Sequence, residues 1–232
     1  MKKIGLIGGI GPESTLDYYR RIIDAVRGKS GGLSSPEIII YSANLNEALS
    51  IMQANELDRL VGWLLVKIEA LASTGADFAA ITANTPHMVF DQVAARSPLP
   101  LISIVEATCE TAKNQGLRRV GLMGTGFTMR ADFFPKTFRS QGLELIVPSP
   151  EDQDIIHEKL FTEIELGIIR DETREELLTI CRNMIERDGI DSLILGCTEL
   201  PLILPDEAYG IPFLNTTAIH VDRIVRECLN EK

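Results

Sequence analysis

Short apolar runs alternate along this chain with longer stretches of helical period, and few architectures accept that alternation. Runs at 4–7, 37–42, 78–82, 101–104, 120–124, 143–147 and 192–195 read as strands, because they are short, apolar and bounded by turn-forming residues. Between them, 14–27, 55–73, 104–115, 129–140, 153–167 and 174–187 carry apolar residues at helical spacing, and 217–230 closes the chain in the same way. Strands joined through helices pair in parallel, and helices then cover both faces of the sheet. The pattern predicts an α/β protein.

It also occurs twice. KKIGLIGG at 2–9 opens the first half, where a later strand ends in TANTPH at 82–87. RRVGLMGT at 118–125 opens the second half, where a later strand ends in GCTEL at 196–200. Each half places a Gly-ended strand first and a small, polar strand end later. The expectation is two pseudo-symmetric lobes, each a parallel sheet flanked by helices, over 1–98 plus 212–232 and over 99–211. Open α/β sheets bind ligands at the carboxyl ends of their strands, so the active site is expected in the interlobe cleft. At 232 residues the chain is long enough for two lobes of ordinary size.

Composition narrows the function classes. Hydrophobic residues at 45% and charged residues at 24% are globular values, and no run approaches the ~20 apolar residues of a membrane span. The first twelve residues lack the long apolar region and cleavage site of a signal peptide, so the expected location is the cytoplasm. A net charge of −10 argues against nucleic-acid and acidic-membrane partners, which require clustered positive charge. A small anionic substrate stays compatible, because backbone amides and hydroxyls build local anion sites. Cys109, Cys181, Cys197 and Cys228 lack metal-type spacing, and His87, His157 and His220 are scattered. Neither set predicts a metal site, and the cysteines read as free thiols.

Cys197 stands out because an apolar strand runs into Gly196 and then Cys197-Thr198-Glu199. It fits either a buried packing cysteine or a thiol whose pKa is lowered by nearby amides or a helix start. Cys109, Cys181 and Cys228 lie within helical periodicity and read as packing residues. Asn84 and Thr85 occupy the matching strand end of the first half, as ordinary turn residues before Pro86 or as a grip on a substrate carboxylate. Gly8 through Thr15 reads as an anion site at a helix N-terminus, or as a tight turn capped by Ser14 or Thr15. A dinucleotide fingerprint fits poorly, since Ser14 replaces the third glycine and no acid follows the second strand. Asn215-Thr216-Thr217 similarly reads as a loop and cap, or as part of a site.

Taken in order, GLIGGIGPEST at 5–15, ANTPH at 83–87, GLMGT at 121–125, GCTEL at 196–200 and NTTAIH at 215–220 resemble the aspartate/glutamate racemase family along essentially the whole chain. The resemblance implies a two-lobed fold and α-proton exchange between acid–base residues facing opposite sides of the substrate, without pyridoxal phosphate or metal. It implies a small amino-acid or carboxylic-acid substrate, and homodimers are common in the family. The family's second cysteine corresponds to Cys197. Asn84, Thr85 and Thr198 correspond to residues gripping the α-carboxylate, and Gly9, Ile10, Ser14, Thr125 and Glu199 to the surrounding pocket.

The first family cysteine corresponds to Ala83, which cannot move a proton. Some relatives carry threonine there, but here the threonine is Thr82, and neighbouring strand residues point to opposite faces, so either Thr82, a water or another residue fills the role or the chemistry needs only one base. Basic residues for a side-chain carboxylate are missing near Asn46, Ala48 and Glu165. The resemblance therefore implies an acidic-amino-acid racemase with one thiol. A one-cysteine lyase and a non-catalytic amino-acid-binding protein are the alternatives.

Overall fold

Every residue of the first apolar run is buried, and in the computed structural model, which describes residues 1–231, that run is strand β1 (Ile4–Gly8). It pairs in parallel with β2 (Ile38–Ser42) and β3 (Phe78–Ile81). β4 (Leu101–Ile102) extends the sheet beyond β3, giving the order β2-β1-β3-β4. These strands belong to one unit, Met1–Ile104 with the chain from His220 onward; the other unit is Val105–Ile219.

In the first unit the strand pleat sorts residues between two cores. Ile4 and Leu6 of β1, with Phe78 and Ala80 of β3, pack against Tyr18, Ile22 and Val26 of α1 (Pro12–Ser30) and Val221, Ile224 and Val225 of the C-terminal helix. Ile7, Ala79 and Ile81 point the other way. They meet Ile51 of α2 (Leu45–Gln53), Leu60, Leu64 and Ile68 of α3 (Leu57–Ser73) and Val93 of α4 (Phe90–Ala94). Each such aliphatic side chain contributes about 1.5–3 kcal/mol on burial, which is why both sheet faces are covered. Helix α2 falls outside the sequence-based helices. Its start is fixed locally by Asn44, whose side chain accepts from Asn46 N at 2.9 Å and Glu47 N at 3.3 Å. The turn from β1 into α1 depends on Gly9, where φ is +80° and a Cβ would lie 2.2 Å from the Ala43 carbonyl oxygen.

The second unit repeats the plan. Helix α5 (Ile104–Asn114) leads to β5 (Arg119–Met123), followed by α6 (Gly126–Arg130), α7 (Phe133–Ser140), β6 (Glu144–Ile146), α8 (Pro150–Thr162), α9 (Asp171–Asp188) and β7 (Ser192–Leu195). The apolar pattern at 129–140 predicts one helix; the chain instead turns extended at Ala131 and divides it into α6 and α7. Two further strands, β8 (Glu207–Ala208) and β9 (Ile211–Asn215), complete the order β6-β5-β7-β9-β8. β9 escapes the sequence pattern because Pro212 interrupts a very short run, and β8 adds the sheet's one antiparallel edge. The C-terminal helix α10 (Thr216–Leu229) follows β9. Among the described residues, no helix is long and apolar enough to cross a membrane.

Two buried histidines tie the first unit together. The Ile104 amide donates to His87 Nε2 at 3.3 Å, so Nδ1 carries the proton and donates to the Ala83 carbonyl at 2.9 Å. His220 Nε2 donates to the Ile102 carbonyl at 3.0 Å, leaving Nδ1 to accept from the Tyr18 hydroxyl at 2.8 Å. Burial pushes His87 down to about 4 and His220 down to about 3, in the latter helped by the positive charge of His87 when protonated. In the unfolded chain both titrate near about 6.5. As pH falls from there toward 4, the unfolded chain takes up protons that the folded chain refuses, so stability decreases. The expected loss from His87 alone is about 3 kcal/mol by pH 4. Thermal melts across this range would show it, and a melting temperature flat down to about pH 4.5 would contradict it.

Candidate active site

The sequence-derived site residues gather at the carboxyl ends of strands, in one group within each unit. In the first unit, β1 and β3 are neighbours, so the turn after β1 meets the end of β3. The Ser14 hydroxyl donates to the Thr82 carbonyl at 3.0 Å, and the Thr15 hydroxyl accepts from the Gly9 amide at 2.8 Å. Ile10, Ala83 and Asn84 are buried alongside, and Thr85 begins a single 3-10 turn, Thr85–Val89. Thr82 is fully buried and its hydroxyl donates to the Ile7 carbonyl at 3.1 Å. Its proton is therefore committed to the sheet backbone. Ala83 lies on the face of Ala79 and Ile81, held there by the bond from His87 to its carbonyl.

In the second unit, β5 and β7 are neighbours, which brings Thr125 and Cys197 to adjacent strand ends. Gly196 makes the close approach possible: its amide donates to the Met123 carbonyl at 2.6 Å. A Cβ on it would stand 2.8 Å from that same oxygen and 2.6 Å from Leu122 Cδ1. The Thr125 hydroxyl accepts from the Thr128 amide at 3.3 Å and so caps α6. Cys197 continues the face of Leu193 and Leu195, two residues beyond the last strand residue. Ala83 stands two residues beyond Ile81 on its own face of β3, so the two positions are equivalent within their units.

Around Cys197 the structure assembles an acidic cluster. The thiol donates to Glu199 Oε2 at 3.1 Å and lies 3.6 Å from Glu165 Oε1. The Thr198 hydroxyl donates to the same Glu199 oxygen at 2.8 Å. Cys197 is 5% exposed and Glu199 2%, whereas Glu165, on a 3-10 turn at Ile164–Leu166, is partly open. The sequence admits a lowered thiol pKa from nearby amides, and the Glu199 backbone does act in that direction. It is outweighed. Burial, then the charges of Glu199 and Glu165, push the thiol well above its ordinary value. Burial raises both carboxyls as well, and Glu165, facing the Glu199 charge, reaches about 8. The proximity of the two carboxyls raises Glu165 further and opposes the rise of Glu199.

Glu165 is absent from the candidates that sequence reasoning identifies as thiol partners. It lies 32 positions from Cys197 and only the fold joins them. Thr217 is a second gain: its buried hydroxyl has no hydrogen-bond partner among the described residues. The adjacent Thr216 hydroxyl ties this segment to β7 by donating to the Leu195 carbonyl at 2.8 Å. Cys109, Cys181 and Cys228 are buried in α5, α9 and α10 with raised pKa values, Cys109 to about 11 and Cys181 to about 12. Burial is the main cause in each.

The family profile described as Asp/Glu/Hydantoin racemase matches residues 7–224. A broad specificity amino-acid racemase, RacX, from Bacillus subtilis (strain 168) is 25% identical, over 93% of this chain and 93% of its own length. The structure of an aspartate racemase homologue from Pyrococcus horikoshii OT3 superposes with a TM-score of 0.83 at 36% identity, covering 99% of this chain and 100% of that one. A candidate Asp/Glu racemase from Yersinia pestis gives a TM-score of 0.91 at 33% identity, over 99% and 100% of the two chains.

Proposed function

The chain belongs to the Asp/Glu/Hydantoin racemase family, and we propose that it exchanges the α-proton of a small acidic amino acid, with Cys197 as the acid–base group. The observation carrying this reading is the Cys197 thiol at the end of β7, hydrogen-bonded to a buried carboxyl that can hold its proton. In its ionised form Glu199 can accept the proton of the thiol that faces its Oε2 at 3.1 Å. Moving the thiol proton to Glu199 Oε2 leaves a thiolate and a neutral acid, with no change in the cluster's net charge. The thiolate is thus reached by a short internal transfer rather than by losing a proton to solvent.

The thiolate then takes the substrate's α-proton, and negative charge spreads onto the substrate carboxylate. Asn84, Thr85 and Thr198 stabilise that charge in the roles their counterparts hold in the family. Returning a proton to the α-carbon completes the exchange. Glu165, protonated near neutral pH, presents no negative charge to a second substrate carboxylate, where an ionised acid would repel it. This compensates for the missing basic residues near positions 46–48 and 165.

Ala83 favours one-sided chemistry, because a methyl group offers no proton for the opposite face. In deuterium oxide, proton NMR is expected to show loss of the α-proton signal for one enantiomer of an acidic amino acid, with little inversion. No exchange for either enantiomer of any acid tested, despite tight binding, would leave a binding protein. The same methyl supports a second reading, a one-base lyase. Carbon dioxide release from malonate-type acids in place of α-proton exchange would select it.

A further inference from the structure

We propose that Cys197, Glu165 and Glu199 also form an inhibitory site for a thiophilic divalent cation, with Zn²⁺ the best fit. Their ligand atoms, one sulfur and two carboxylate oxygens, all lie within 4.8 Å of one another. In a tetrahedral zinc site, bonds of about 2.3 Å to sulfur and 2.0–2.2 Å to oxygen place neighbouring donors about 3.6 Å apart. Cys197 Sγ lies 3.6 Å from Glu165 and 3.1 Å from Glu199, and the two carboxylate oxygens lie within 4.8 Å of each other, so side-chain adjustment can bring all three to the corners of one site. The fourth corner would be water.

A second observation points to a ligand. Glu199 Oε1 is buried without a hydrogen-bond partner among the described residues, on a side chain only 2% exposed. A buried polar atom of this kind ordinarily has a partner, and a cation held by the Glu199 carboxylate supplies one, either through both oxygens or after a small rotation of the carboxylate. The donor set selects the metal class. Magnesium and calcium require six or more oxygen donors and gain little from a thiolate, whereas one sulfur and two carboxylates suit zinc or cobalt. Glu165 is the partly open member of the trio, so the ion reaches the sulfur past a carboxylate. Ligation displaces the thiol proton and any proton on the carboxyls, and these leave to solvent. A sulfur bonded to a divalent cation is far less basic than a free thiolate, so it no longer takes an α-proton, and the ion occupies the approach to it. The inhibitory consequence rests on the proposed role of Cys197, while the binding itself rests only on the cluster's geometry.

The test is equilibrium dialysis of the chelator-treated full chain against Zn²⁺, with Co²⁺ as a second probe reporting thiolate ligation through its charge-transfer absorption. One Zn²⁺ per chain is expected. Cys197→Ser and Glu165→Gln should each weaken binding by more than about 100-fold, beyond the ~10–100-fold that losing an outer-shell partner costs. Cys109→Ala should leave it unchanged. Circular dichroism checks that each variant is folded. No stoichiometric binding, or binding indifferent to both ligand substitutions, would overturn the site. Zinc binding in a chain that exchanges no α-proton would defeat the proposed function and leave the site standing. Exchange insensitive to bound zinc would overturn the inhibition.

Discussion

Cys197→Ser is expected to slow α-proton exchange by about 10²–10⁴-fold, the ordinary contribution of a positioned acid–base group. The substitution keeps the side chain's shape, and the hydroxyl can still donate to Glu199 Oε2, which the thiol reaches at 3.1 Å. It changes the acid. A thiol ionises near about 8.5, and an alcohol scarcely ionises in water, so the internal transfer to Glu199 no longer yields a base. Binding should survive, because the carboxylate grip is assigned to Asn84, Thr85 and Thr198. Exchange followed by NMR, beside the melting-temperature rise on adding ligand, separates the two effects. Cys109→Ala serves as the comparison, since that thiol is buried in α5 and pushed up to about 11. A serine variant that exchanges at the parent rate would remove Cys197 from the chemistry.

Much of the fold was legible because strand alternation and helical period are local signals. The runs at 4–7, 78–82, 120–124 and 192–195 all became strands in parallel register. What escaped had weak local signals. Helix α2 depends on the Asn44 cap, and β9 is a five-residue strand carrying Pro212. The site divides in the same way. Cys197, Thr198 and Glu199 are adjacent in sequence, so their grouping could be read directly. Glu165 reaches the sulfur only through the turn after α8, a contact without local trace. The direction of the thiol's pKa was equally out of reach, because burial and two carboxylates outweigh the backbone contribution only once the chain is folded.

Ala83→Cys is expected to raise racemisation by about 10²–10⁴-fold while changing substrate binding little. The reason lies in the pleat. Position 83 continues the Ala79–Ile81 face beyond β3, as Cys197 continues the Leu193–Leu195 face beyond β7. Thr82 points to the opposite face and gives its proton to the Ile7 carbonyl, so it leaves the first base unreplaced. A sulfur at 83 would place a titratable group at the position that the resemblance assigns to the first acid–base residue, on a segment that still holds Asn84 and Thr85. One added atom at a site 5% exposed costs about 1–3 kcal/mol if the packing is already tight, so a thermal melt must accompany the assay. Racemisation is followed by circular dichroism from each pure enantiomer. The parent should exchange deuterium into one enantiomer with little loss of optical rotation, and the variant should lose rotation from both. A parent chain that already racemises at a robust rate would place the second base elsewhere. A folded variant that binds substrate and inverts none of it would mean that the site serves other chemistry, and the lyase reading would then lead.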